Sequence, residues 1–170
     1  MYISGDNPCL SCILNNPQKI REIFINSEKS NIYMQLIERH KLNGITKYLP
    51  KKELLKIDKE DKRSSNDMII RRDKYTSVSL GEIVSPKPKN SLIILIDQLN
   101  DQNNLGNIIR TSSLIGADGI IIPEHSSAQI NNITSTTSSG AIEVLKFNIS
   151  KNISRTLEDL KKLGYWTYSL

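Results

Sequence analysis

Two periods of apolar residues run through the first 75 positions. Glu22-Ile23-Phe24-Ile25-Asn26 is a short apolar run with polar ends and reads as a strand. Tyr33, Leu36, Ile37 and His40 then recur at helical spacing on one face, and Asn43-Gly44 is expected to end that helix. Ile45 to Leu49 gives a second strand. Pro50 stands where a helix can start, and Leu54, Leu55 and Ile57 belong to a short, strongly basic helix. After the polar loop Ser64-Ser65-Asn66 comes a third apolar run, Met68-Ile69-Ile70. The pattern predicts a compact α/β module over residues 1–75. Residues 76–90 read as a linker, because Ser85-Pro86-Lys87-Pro88-Lys89-Asn90 has an extended composition.

Beyond the linker the period changes. Leu92-Ile93-Ile94-Leu95-Ile96 is apolar on both faces, as in a central strand of a parallel sheet covered on each side. Gly119-Ile120-Ile121-Ile122 repeats that signature, and Val144 to Phe147 and Tyr165 to Tyr168 are expected to supply two more strands. Between them, Leu105, Ile108, Ile109 and Ser112 share one face of a helix from about Asn104 to Ile115. Ile153, Leu157 and Leu160 share a face of another, which Ser150 could cap and Gly164 could end. Strands alternating with such helices imply right-handed βαβ crossovers and a parallel sheet over residues 91–170.

Composition changes this picture little. The 170 residues carry 38% apolar and 24% charged side chains, the balance of a globular protein. The N-terminus lacks a basic region followed by an apolar stretch, and no run approaches the roughly 20 apolar residues of a membrane span, so a soluble, cytoplasmic protein is expected. Cys9 and Cys12 fall inside what reads as the first helix and are expected to be buried, inert thiols. With only His40 and His125 to add, a four-ligand zinc site would need all four residues to converge, and no metal is expected. The net charge of +5 is uneven: residues 1–90 hold 17 Lys/Arg against 11 Asp/Glu, and residues 91–170 hold 6 against 7. That excess suits a polyanion, although a solvated lysine-rich surface gives the same numbers.

The stretch with most chemistry is Asp97 to Arg110, a polar loop that leaves a strand and opens into a helix. Ligands of open α/β sheets bind at that edge. At about 100° per residue, Asn103, Asn107 and Arg110 cluster opposite Leu105, Ile108 and Ile109. Backbone N–H groups at the helix start, a Gly106 that permits close approach and the planar fork of Arg110 suit a phosphate or a ribose. An ordinary solvated helix face, with Asp101 or Asn103 as N-cap, accounts for the same residues.

Asp101-Gln102-Asn103-Asn104-Leu105-Gly106-Asn107-Ile108-Ile109-Arg110 resembles the D-P-x-N-x-G-x-x-x-R signature of the SpoU/TrmH-type RNA 2′-O-ribose methyltransferases of the SPOUT superfamily. Ser139-Gly140-Ala141-Ile142-Glu143 resembles that family's S-x-G-A-x-E-type segment, and Ser126-Ser127-Ala128 is a weaker match to the small-residue stretch before it. Residues 1–75, with the Gly5 start and Leu14-Asn15-Asn16-Pro17, resemble the small substrate-binding domain of many members, a module similar to a ribosomal RNA-binding fold. Gln102 replaces the usual proline, and Ser65-Asn66-Asp67 stands where many members have H-Q-G.

The resemblance implies an α/β protein in which a small ribosomal-protein-like substrate-binding domain precedes a parallel-sheet SPOUT domain over residues 91–170. It implies methyl transfer from S-adenosylmethionine to a ribose 2′-hydroxyl of rRNA or tRNA, with a guanosine in rRNA favoured, and a homodimer. Arg110 takes the place of the signature arginine that handles the 2′-hydroxyl and its phosphate, and Asn104 that of the amide which orients it. Asn103, Gly106 and Asn107 would face RNA, as would Lys51, Lys52, Arg71 and Arg72 in the basic module, and Glu143 is a further candidate. Family members carry G-x-E-x-x-G and S-L-N segments on elements that thread a knot around the donor. Neither segment occurs here, so an incomplete sheet without the knot is expected, with catalysis lost or dependent on the missing part. The alternative is an RNA-binding protein without catalysis.

Overall fold

The computed structural model describes residues 1–57, 67–84, 90–125 and 127–169. In chain order the regular elements are β1 (Tyr2–Ser4), α1 (Asp6–Asn15), β2 (Ile20–Asn26), α2 (Ser30–Arg39), β3 (Thr46–Leu49), α3 (Lys51–Ile57) and β4 (Met68–Arg72). There follow α4 (Leu80–Val84), β5 (Ile93–Leu95), α5 (Gln102–Leu114), β6 (Gly119–Pro123), α6 (Asn132–Thr137), β7 (Phe147–Ser150) and α7 (Ile153–Lys162). Two sheets result. One has strand order β1-β4-β2-β3, with β2 and β3 parallel and β4 antiparallel to both its neighbours. The other, β5-β6-β7, is wholly parallel, as the βαβ rhythm predicted.

Each sheet has its own apolar core. Ile3, Ile23, Ile25 and Ile70 close the first against Cys9, Cys12 and Ile13 of α1 and Ile37 of α2. Both cysteines are fully buried and unpaired, as expected from their place inside a helix. In the second core, Leu105 and Ile109 of α5 pack on Ile120 and Ile122 of β6 and on Phe147. The periodicity of α5 therefore reads correctly: Leu105, Ile109 and Ser112 are buried, and Asp101 is the N-cap, its carboxylate accepting from the Asn104 N–H at 2.8 Å.

Several sequence expectations need correction. The helix after β2 stops at Arg39, because Lys41 takes a left-handed φ of 56° and the Leu42 N–H reaches back to the Ile37 carbonyl, so a lysine closes it before Asn43-Gly44. The strand expected at Val144 to Phe147 starts only at Phe147, since Ala141 to Glu143 form a tight turn and leave Val144 half-exposed. Tyr165 to Tyr168 is no strand. Trp166 and Tyr168 stand 87% and 90% exposed, and alternation without a neighbouring strand has nothing to pair with. Among the described residues Ile93 to Leu95 pair on one side only, with β6, and are half-buried. Asn152, not Ser150, caps α7, and Gly164, at φ +83°, ends it.

Part of the expected linker is built into the second unit. Val78 donates its N–H to the Phe147 carbonyl, Ser77 accepts the Ile149 N–H, and Asn148 donates its amide to the Val78 carbonyl, so these two residues occupy the outer edge of β7. The short helix α4 follows and buries Ile83. Most of the Pro-Lys run, residues 85–89, and the loop expected at residues 64–66 lie outside the described residues.

Gly106 is where α5 meets α6. A Cβ there would lie 2.7 Å from the Thr137 Cβ and 3.1 Å from the Thr134 carbonyl oxygen. Gly→Ala in a helix ordinarily stabilises by about 1 kcal/mol. Here overpacking against a neighbouring helix costs more, typically about 1–3 kcal/mol. Gly106→Ala is therefore expected to lower stability on balance, read as a drop in the urea midpoint without a change in slope.

Candidate functional site

The exposed face of α5 carries Asn103, Asn107 and Arg110, as its period requires. Arg110 borders a cleft of about 230 Å³ lined by Ser113 and Leu114 of its own helix, by Ser138 to Ala141 and by Ser11 of α1. The cleft wall is fixed by backbone strain. Ser139 and Gly140 both adopt positive φ, 53° and 82°, and Ser11 donates its hydroxyl to the Gly140 carbonyl at 2.9 Å. A Cβ at residue 140 would lie 2.7 Å from the Ser11 Cβ, so only glycine lets α1 close this side. Arg110 makes no hydrogen bond or ion pair with any described residue, and Ser11, Ser113, Ser138 and Ser139 line the cleft it borders.

The other expected residues scatter. Asn104 is exposed and makes no hydrogen bond to Arg110; six helical positions separate them by about 9 Å along the axis and about 120° around it. The expected orienting contact is therefore absent. The Asn103 side chain accepts from the Thr137 hydroxyl at 3.1 Å, Asn107 faces solvent, and Gly106 is buried against α6 rather than open to a ligand. In the first unit Lys52 is exposed, whereas Lys51 pairs with Asp67 at 2.9 Å and Arg71 with Glu22 at 2.5 Å.

Arg72 and Glu143 overturn their expected roles together. Both side chains are removed from water, 4% and 0% exposed, and they form an ion pair that bridges β4 of the first sheet to the turn before β7. The Tyr75 hydroxyl donates to the same carboxylate oxygen at 2.6 Å, and Asn16 donates to the other at 2.9 Å and to the Glu143 carbonyl at 2.8 Å. The Arg72 guanidinium stacks on the Tyr75 ring, 3.9 Å from its centre. Arg72 thus cannot meet RNA phosphates, and the Glu143 carboxylate is enclosed by protein groups. Asn16 and Tyr75 were not singled out as site residues. Asn16 stood inside the Leu14 to Pro17 motif, and Tyr75 had no signal.

Residues 91–170 match the model of the SpoU rRNA methylase family. This segment belongs to the SpoU family. YacO, a TrmH family tRNA/rRNA methyltransferase by name, from Bacillus subtilis (strain 168), is 29% identical over 97% of this chain and 67% of its own length. A relative of the same family name from Staphylococcus haemolyticus is 27% identical over 88% of this chain and 55% of its own length, so this chain spans between half and two thirds of these proteins. Among solved structures, the SpoU methyltransferase AviRb from Streptomyces viridochromogenes, in complex with the cofactor AdoMet, superposes with a TM-score of 0.72 at 16% identity, over 96% of this chain and 60% of that one. The AdoMet-bound rRNA methyltransferase from Sinorhizobium meliloti gives 0.65 at 15% identity, over 94% and 57%. The SpoU-type fold thus extends over both sheets.

Two predictions follow from the buried cluster. Arg72→Met or Glu143→Leu alone leaves an unpaired buried charge and is expected to cost about 3–5 kcal/mol, whereas the double variant recovers most of the loss; a double-mutant cycle from denaturant unfolding measures this. Burial, reinforced by the Glu143 charge, pushes the Cys12 thiol from its ordinary value near 9 up to about 12, and Cys9 also moves well up. The folded state then holds thiol protons more tightly than the unfolded chain. Their contribution to stability is complete below about pH 9 and shrinks as pH rises toward 12. A thiol reagent at neutral pH is accordingly expected to label both cysteines only as fast as the chain opens.

Proposed function

We propose that this chain forms the RNA-docking and ribose-positioning part of an RNA methyltransferase that modifies a ribose 2′-hydroxyl of tRNA or rRNA. The observation that carries this reading is Arg110, without a partner among the described residues, at a hydroxyl-lined cleft inside the segment that belongs to the SpoU family. A guanidinium carries five N–H donors and no acceptor, so what it offers a sugar-phosphate is hydrogen bonds and charge. It would pin the phosphate beside the target sugar and stabilise the negative charge that grows on the 2′-oxygen as the hydroxyl proton passes to solvent. Solvent screens that charge in the free protein, and a bound sugar-phosphate would displace the water.

The donor that this reading calls for is S-adenosylmethionine, which supplies an electrophilic methyl group on a sulfonium. One cleft suits part of such a molecule. About 320 Å³ in volume, it lies by the carboxyl end of β6 and is walled by Ile122, Pro123 and Phe147. There the Ser127 hydroxyl oxygen is buried without a hydrogen-bond partner among the described residues. Such an oxygen is costly unless a ligand or water meets it. Ser127 and Glu124 are the residues that would hold ribose hydroxyls at this place.

The test compares the chain with Arg110→Ala in RNA binding against salt and in transfer of labelled methyl groups to tRNA and rRNA. Binding is expected to weaken roughly tenfold with a salt slope shallower by about one, and any methyl group transferred should protect the adjacent phosphodiester from alkali. Unchanged binding and transfer in Arg110→Ala would sink the reading. Binding that depends on Arg110 without transfer would leave an RNA-binding role alone.

A further inference from the structure

We propose that the junction of the two sheets contains a second RNA subsite, a pocket for one unpaired nucleotide near the sugar that Arg110 meets; this rests on the function proposed above. The pocket, of about 740 Å³, falls within the range of roughly 300–1,000 Å³ usual for small-ligand sites. Neither sheet forms it alone. Tyr2 comes from β1, Lys56 and Ile57 from α3 and Lys74 from the segment after β4, while Gln129 to Asn132 lead into α6.

The lining is that of a nucleotide site. Among the described residues, Lys56 and Lys74 are both exposed and pair with no carboxylate, and the lining includes no Asp or Glu, so the charge these residues bring favours an anion. Tyr2, 43% exposed, offers a ring on which a base can stack, and Ile57 and Ile130 give it apolar walls. Gln129 and Asn132 present amides, which hydrogen-bond the edges of unpaired bases. Beneath them Tyr75 is held rigid, its hydroxyl on Glu143 and its ring under Arg72.

The position of α6 joins this pocket to the Arg110 cleft. Asn132 begins the helix at the junction pocket, and Ser138 to Ala141 follow its end at the Arg110 cleft. Six residues make a helix roughly 9 Å long, a span that neighbouring nucleotides of an extended strand can cover. A strand whose sugar-phosphate meets Arg110 thus has a place for an adjacent base. Double-stranded RNA, with its bases stacked inside, cannot use it.

The experiment titrates the chain with a fluorescent single-stranded RNA oligonucleotide and with a duplex of the same length, following anisotropy. Tyr2→Leu keeps the apolar bulk and removes much of the stacking surface; Lys56→Ala/Lys74→Ala removes the two charges, and both lysines are exposed and without an ion-pair partner among the described residues, so the fold should survive. Each variant is expected to weaken single-strand binding roughly tenfold while changing duplex binding much less. The lysine variant should also flatten the salt dependence. Binding that falls with Arg110→Ala yet ignores Tyr2 and both lysines overturns the subsite and leaves the Arg110 reading intact. Loss in the junction variants with Arg110→Ala neutral keeps the subsite and removes the function on which it was placed. Free adenosine or uridine monophosphate competing as well as the oligonucleotide would make this a small-nucleotide site and overturn the proposal.

Discussion

The ion pair between Arg72 and Glu143 is the constraint from which the rest of the arrangement follows. Taking a guanidinium and a carboxylate out of water is costly, and the cost is offset only when geometry and additional hydrogen bonds are in place. Here Tyr75, Asn16 and the stacked ring supply them. Because Arg72 belongs to one sheet and Glu143 to the other, satisfying the charges fixes how the two sheets meet. The same docking brings Ser11 of α1 against Gly140, so one wall of the Arg110 cleft is a product of the contact between units and not of the SpoU-family segment alone.

Much of the fold was legible because its elements obey local rules. The apolar face of α5, the interior placement of Cys9 and Cys12 and the parallel run of β6 follow from period and composition. The errors arose where a distant partner decides. Tyr165 to Tyr168 has the alternation of a strand but no neighbour to complete it. Arg72 reads as a surface cation until a carboxylate 71 positions away removes it from water. Lys41 ends a helix in a conformation usually left to glycine, and its sequence gives no warning.

The candidate site divides in the same way. Helical spacing and a ten-residue motif converge on Arg110, and the fold places it exposed at the border of a cleft, without a partner among the described residues. Glu143 was marked by the motif, and its carboxylate is taken up by Arg72, Tyr75 and Asn16; a motif reports that a residue matters without reporting what it touches. Gly106 was rightly read as a point of close approach, but the approaching body is α6. Asn16 and Tyr75 act by holding others in place, and that is invisible until the two sheets are docked.

The two edges of the parallel sheet are unequal. Ser77 and Val78 already use the outward carbonyl of Phe147 and the outward N–H of Ile149, so β7 has little left to offer another strand. Among the described residues no strand pairs with the outer side of β5. Additional backbone, from a longer relative's own polypeptide or from a neighbouring molecule, therefore has one direction in which to extend this ladder, on the flank where Ile93 to Leu95 still present unused peptide groups.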